Sequence, residues 1–309
     1  MHTHTALLTA HLGQQVEILT HAQPAQTLRC FVRKNLGPLV AGDHVIYDPI
    51  DQIVSGILPR KSLLERPDIH KGKKLIAANI DQIFLVIAPY PEPIELNIDR
   101  ALALAETQNI PIHLIFNKTD LANTLPNFIN RYIKLGYLLF TTSVISSSKD
   151  PKELNQLRKA FINKTSLLVG QSGVGKSSLV NYLFNLNLAK VGEISQANQK
   201  GKHTTTTARL YPLSLNISEE ANTRENTQAA YLIDSPGIRE FGLWHLPPKE
   251  ILLGFREFQP YLSLCQFRNC EHLAHTPGCA LQKAVTENKI TPERLKNYFI
   301  LKKEAEEKS

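Results

Sequence analysis

The stretch that most limits what this chain can become is Gly170-Gln171-Ser172-Gly173-Val174-Gly175-Lys176-Ser177, a full match to G-x-x-x-x-G-K-[ST]. It follows the apolar run Leu167-Leu168-Val169 and leads into an apolar-periodic segment, Ser177 to Phe184. It therefore reads as a turn from a buried strand into a helix. Glycines in such a turn let backbone N–H groups converge on phosphate oxygens, and the helix N-terminus adds partial positive charge. Lys176 is predicted to reach the β- and γ-phosphates and the Ser177 hydroxyl to bind Mg²⁺, with residues 170–175 and Ser178 lining the same phosphate site.

Asn117-Lys118-Thr119-Asp120 follows a second apolar strand, His113 to Phe116. A carboxylate at Asp120 can accept two parallel hydrogen bonds from guanine N1–H and its exocyclic amine. Adenine offers no such pair, so the site selects guanine. Thr141-Thr142-Ser143, after a third strand, can supply the loop behind the base, through Thr142 and Ser143. Asp234-Ser235-Pro236-Gly237 follows the strand Tyr231 to Ile233 and has the form D-x-x-G. It predicts Asp234 near Mg²⁺ and the Gly237 N–H near the γ-phosphate. Between phosphate loop and D-x-x-G lies Gly201-Lys202-His203-Thr204-Thr205-Thr206-Thr207; one threonine, Thr205 by preference, is expected on Mg²⁺.

The order of these motifs is unusual. A conventional G domain runs phosphate loop, switch I, D-x-x-G, N-K-x-D, base loop. Here N-K-x-D and the base loop come first, so the domain is circularly permuted and D-x-x-G stands near its C-terminal end. Strands alternating with helices from residue 76 onward predict a mostly parallel, three-layer α/β/α sheet. Ile83 to Ile87 is a continuous apolar strand, Ile98 to Gln108 a helix, Leu125 to Leu135 another. Residues 214–229 are polar and read as a surface loop.

The flanks differ in character. Residues 15–19, 27–33, 43–47 and 52–58 read as short strands, which suggests a small N-terminal barrel. An oligonucleotide-binding (OB) barrel and an SH3-like barrel both fit this pattern. Arg60 to Lys74 carries six basic residues with Pro67 and Gly72 among them, and reads as a linker. Near the C-terminus, Thr291-Pro292-Glu293 is a helix start, with Thr as cap and Pro at the first helical position. Leu295, Tyr298 and Phe299 form its apolar stripe. Of four cysteines, Cys265, Cys270 and Cys279 cluster, which asks for a metal. Cys30 reads as core.

Composition sets the class. The 309 residues are 42% hydrophobic and 20% charged, which is ordinary for a globular chain and excludes a fibrous or disordered one. The net charge of +7 favours an acidic partner, nucleic acid first. No apolar run approaches a membrane span. The start, MHTHTALLTAHLG, has no basic n-region, so no signal peptide is predicted and a reducing, cytoplasmic setting is expected.

The chain resembles the bacterial ribosome small subunit-dependent GTPase A family over nearly its whole length. The matching stretches are Ala78 to Gln82, Asp99-Arg100, N-K-T-D, GQSGVGKSSL, GKHTTT, DSPGIREFGL and the Cys/His segment after Cys265. The resemblance implies an OB domain (1–68), a permuted GTPase domain (69–242) and a C-terminal zinc domain (243–309). It also implies GTP hydrolysis stimulated by the 30S subunit in late small-subunit maturation, contact with 16S rRNA, no membrane role and a monomer. The family's zinc pattern is Cys-x4-Cys-x-His-x5-Cys. Here six residues separate His272 from Cys279, one more than the pattern, so His275 competes with His272 as fourth ligand. The Cys-x-His step favours Cys265, Cys270, His272 and Cys279, holding one Zn²⁺ per chain.

Small G proteins place a glutamine after D-x-x-G to orient the attacking water. Ile238 stands there and cannot do so. Slow intrinsic hydrolysis is expected, with His203 the candidate catalytic residue beside Lys176 and a partner completing the site. Three rivals stand against this reading: a GTPase acting on the large subunit, an RNA-binding scaffold with structural nucleotide, and a P-loop kinase, which N-K-x-D disfavours.

Overall fold

The strand carrying Ile83 to Ile87 runs from Gln82 to Ile87 (β8) and is buried along its whole length. The computed structural model describes residues 3–22, 24–68, 72–122, 124–145, 151–186, 208–213, 229–234, 242–243 and 245–308. Around β8 lie β9 (Ile112–Phe116), β10 (Leu139–Thr141), β11 (Thr165–Val169) and β13 (Tyr231–Asp234), all parallel. One further strand, β12 (Arg209–Pro212), pairs antiparallel with β13. Continuous apolar strands are what a parallel sheet covered on both faces requires. One face is covered by α3 (Pro151–Ala160) and α4 (Lys176–Phe184), with Leu157, Phe161, Leu179 and Leu183 packed on Phe84, Val86 and Leu168. The other is covered by α1 (Glu95–Thr107) and α2 (Asn127–Lys134).

The N-terminal strands β1 (His4–His11), β2 (Gln15–Thr20), β3 (Thr27–Val32), β4 (His44–Asp48) and β5 (Ile53–Ile57) close on themselves in the order β1-β2-β3-β5-β4-β1. The β3–β5 contact is parallel and the others antiparallel. That closed five-strand path decides for the OB barrel over the SH3-like alternative. Cys30 is buried in its interior beside Val16 and Val54, as expected of a core residue. The barrel is not separate from the parallel sheet. Ala10 of β1 pairs with Arg209 of β12, so an 11-stranded sheet runs from β10 through to β4.

The stretch read as a linker is instead a hairpin, β6 (Leu63–Asp68) against β7 (Gly72–Ala78). Pro67 does not break it. In a two-stranded ribbon every strand is an edge, and Pro67 sits opposite Lys73 without costing a ladder bond in a central strand. The hairpin spans the boundary expected at 68/69.

The C-terminal part contributes α5 (Pro248–Leu253), α6 (Gln259–Leu262), α7 (Ala280–Thr286) and α8 (Pro292–Lys308). Pro292 opens α8 as expected. The expected cap differs: among the described residues the buried Thr291 hydroxyl has no hydrogen-bond partner, and Arg294 N and Leu295 N bond to its carbonyl. These helices share one apolar core with α1. Phe255, Phe258, Leu295 and Tyr298 pack with Ile98, Leu102 and Tyr132. Gly254 is required here, because a Cβ would lie 2.7 Å from Ala103 O. The seam also buries ions. Arg294 bonds Asp99 (2.5 Å) and both oxygens of Glu257 (2.5 and 3.0 Å), while Asp99 accepts from Tyr132 Oη (2.6 Å) and Asn297 (2.7 Å).

A candidate guanine-nucleotide site and a candidate metal centre

The motifs converge because parallel strands end on the same side. β11 delivers the phosphate loop, β8 and β9 lie beside it, and β9 delivers Asn117-Lys118-Thr119-Asp120. The loop is fixed by its glycines. Gly170, Gly173 and Gly175 have φ of 143°, 85° and 93°, which side chains disfavour. At Gly170 a Cβ would also sit 2.3 Å from Val86 O, and at Gly175 2.5 Å from Asn117 Nδ2.

The two motifs are clasped together. Asn117 Nδ2 donates to Val174 O at 2.9 Å, and Thr142 Oγ1 donates to Asn117 Oδ1 at 2.9 Å. Asn117 and Thr142 are buried. Lys118, at φ 59°, lays its ammonium across the loop, donating to Gly173 O (2.6 Å) and Tyr90 O (3.0 Å). Two residues on, Asp120 is exposed and is held by a hydrogen bond from the Ser143 hydroxyl. An exposed carboxylate held in this way can accept from a guanine edge. Lys176 Nζ donates to Gly170 O and Gln171 O, both at 2.7 Å. Its ammonium is thereby kept over the loop, beside the exposed Ser177 and Ser178. Asp234 ends β13, next to β11. His203, Thr205, Gly237 and Ile238 lie outside the described residues.

Cys265, Cys270, His272 and Cys279 bring their ligand atoms within 4.8 Å of one another. His272 Nδ1 lies 3.6 Å from both Cys265 Sγ and Cys279 Sγ. Bonds of about 2.3 Å to sulfur and about 2.05 Å to nitrogen give a tetrahedral S···N edge of about 3.5 Å, so the donor set fits Zn²⁺. His275 is exposed and is not among the four. Gln282 Nε2 holds the His272 carbonyl at 2.6 Å, and Gly278, at φ 66°, lets the loop pass Gln266. Burial, followed by the neighbouring Cys270 and Cys265 sulfurs, pushes the Cys279 thiol up to about 11. Crowded thiols of this kind need a cation to become thiolates. Burial, followed by the Lys302 charge, lowers the pKa of His272, a shift toward the neutral imidazole that a metal ligand must be.

The residues singled out by motif lie together where they are described, and two further features carry little or no local signal. The Tyr90 carbonyl under Lys118 carries no sequence signal, since any residue supplies it. The Asp99–Arg294 ion pair joins positions 195 apart, although Asp99-Arg100 already stood among the matching stretches.

The comparisons agree with this geometry. The family model for the RsgA GTPase matches residues 57–244. The small ribosomal subunit biogenesis GTPase RsgA of Marinobacter nauticus is 44% identical, over 94% of this chain and 82% of its own. The protein of the same name from Hahella chejuensis is 42% identical, over 97% and 84%. The crystal structure of YjeQ from Thermotoga maritima aligns with a TM-score of 0.71 at 25% identity, covering 98% of this chain and 99% of that one. YloQ, a circularly permuted GTPase, shares the fold at a TM-score of 0.70. With a family model spanning more than half its residues and relatives 42–44% identical over 94–97% of its length, this chain belongs to the RsgA family of GTPases.

Proposed function

We propose that the protein hydrolyses GTP in a cycle that places it on the small ribosomal subunit during late maturation and then releases it. The observation that carries the reading is the clasp between Asn117-Lys118 and the phosphate loop. It holds a guanine-selecting carboxylate and a phosphate cradle in one rigid unit. Asp120, kept in place by Ser143, reads the guanine edge. The backbone N–H groups of residues 170–178 and Lys176 hold the phosphates and offset charge that develops in the transition state. Ser177, Thr205 and Asp234 would hold Mg²⁺, which when bound neutralises phosphate charge. Gly237 contacts the γ-phosphate and His203 orients the water. GDP stays on the same contacts after hydrolysis.

The chain divides at 68/69 and 242/243, and the barrel, the basic hairpin and the zinc domain would contact rRNA. OB folds recur in RNA binding, and the chain's net charge of +7 suits 16S rRNA. Zn²⁺ sits on Cys265, Cys270, His272 and Cys279. The working place is the cytoplasm and the working form a monomer. Among the described residues no helix is long and apolar enough to cross a membrane.

GTP turnover measured with purified 30S, 50S and 70S particles tests the reading. The 30S particle should raise kcat much more than it lowers KM, and His203→Ala should lose most of that gain while still binding GTP. Equal stimulation by 50S particles would move the target to the large subunit. Full stimulation of His203→Ala would place the water elsewhere.

A further inference from the structure

A row of side chains crosses the junction between barrel and parallel sheet. Ala10 pairs with Glu17 on one side and with Arg209 on the other, and Arg209 pairs with Asp234. Directly paired residues of antiparallel strands point to the same face. Glu17, Ala10, Arg209 and Asp234 are therefore four consecutive members of one row across β2, β1, β12 and β13. The strand register shifts between Leu8 and Ala10, and this irregularity brings Ala10 opposite Glu17 where an unbroken register would have set it opposite Val16.

Arg209 thus stands between two carboxylates. Asp234 is its immediate cross-strand neighbour, about 5 Å away in the backbone. Glu17 is one strand further, yet the guanidinium reaches past the small Ala10 methyl to ion-pair with it. Glu17 is built to hold it. Its side chain is only 11% exposed, and the Thr9 hydroxyl lies 3.1 Å from both its Oε1 and its carbonyl. The nearby Tyr211 ring lies 5.8 Å from the Arg209 guanidinium.

We propose that Glu17 keeps the Arg209 guanidinium off Asp234, so that the barrel sets how much divalent cation the nucleotide site requires. A guanidinium and Mg²⁺ compete for the same carboxylate. With Glu17 neutralised, the nearest carboxylate to Arg209 along this row is Asp234. The inference rests on the proposed role of Asp234 toward Mg²⁺ and names two positioning residues for it.

The test is an Mg²⁺ titration of binding of a fluorescent GTP analogue to the full-length protein. Glu17→Gln should raise the Mg²⁺ half-saturation point by roughly fivefold, the scale of a partly exposed charge pair. Arg209→Gln should leave it at or below the wild-type value, and Glu17→Gln/Arg209→Gln should behave as Arg209→Gln does. At saturating Mg²⁺ all three should bind the analogue as wild type does, which separates competition from misfolding. An unchanged half-point in Glu17→Gln overturns the inference, and so does a double variant as impaired as Glu17→Gln. Asp234→Asn reports on the underlying reading: if it does not raise the half-point, Asp234 does not serve Mg²⁺ and the inference falls with it. If Asp234→Asn raises the half-point and Glu17→Gln does not, only the inference fails.

Discussion

Arg294→Met tests how the C-terminal helices are joined to the GTPase sheet. Arg294 is 1% exposed and faces Asp99 at 0% and Glu257 at 8%. Methionine keeps the apolar contact with the Phe255 ring, over which the guanidinium lies at 4.4 Å. It removes three charged hydrogen bonds. Asp99 retains the Tyr132 and Asn297 donors, whereas Glu257 loses both bonds from Arg294. Breaking a buried pair from one side costs about 3–5 kcal/mol, because the stranded carboxylate stays desolvated. For a chain of 309 residues that corresponds to a fall in Tm of roughly 5–8 °C. Urea unfolding followed by far-UV circular dichroism measures it. Because the helices share a core with α1, the variant should still unfold in one transition, displaced to lower urea. A loss under about 1 kcal/mol would refute the view that this network braces the seam. A separate early transition that releases only the C-terminal helices would refute the shared core.

Further outcomes follow from the two sites. Asp120→Asn should shift nucleotide preference from guanine to xanthine, whose 2-oxo group needs a donor; competition binding of GTP, XTP and ATP measures this, and equal wild-type affinity for ATP and GTP would remove the guanine reading. Purified protein should contain one zinc by elemental analysis, lost in Cys265→Ser and His272→Ala but kept in His275→Ala; metal-free protein with a protease-resistant C-terminal region would reject the centre. Gly175→Ala puts a Cβ 2.5 Å from Asn117 Nδ2 at a φ of 93°, so GTP affinity should fall at least about tenfold, with little change in overall helix content.

Legibility tracked the distance over which each feature is specified. The phosphate loop, N-K-x-D and the zinc spacing each lie within fifteen residues, and their chemistry shows in residue type. The parallel strands were legible because burial on both faces leaves unbroken apolar runs. β1 was not: in HTALLTAH the buried run from Ala6 to Ala10 holds two alanines and Thr9, so it shows neither alternation nor an unbroken run of large apolar residues. α3 is largely polar, PKELNQLRKA, and Leu154 and Leu157 are its buried anchors, with Ala160 packed partly buried against the same core. The hairpin was hidden by Pro67, whose meaning depends on whether a strand has two neighbours. Partnerships such as Glu17 with Arg209 join residues 192 apart, and nothing local to either announces the other.

The barrel strand that meets β12 has a consequence for how the chain is made. During synthesis from the N-terminus, β1 to β5 emerge first and can close most of the barrel through β1 with β4, which pair over His4 to Leu7. The far half of the same edge, at Ala10, finds its partner only when Arg209 appears. Until then the nascent barrel displays unpaired backbone donors and acceptors beside apolar residues, the kind of template on which another extended segment can pair. The bare flank of β12 would show the same hazard in a fragment cut at the barrel's end. Excising the GTPase part alone therefore trades a natural strand partner for an open edge, and such a fragment should self-associate more readily than the whole protein.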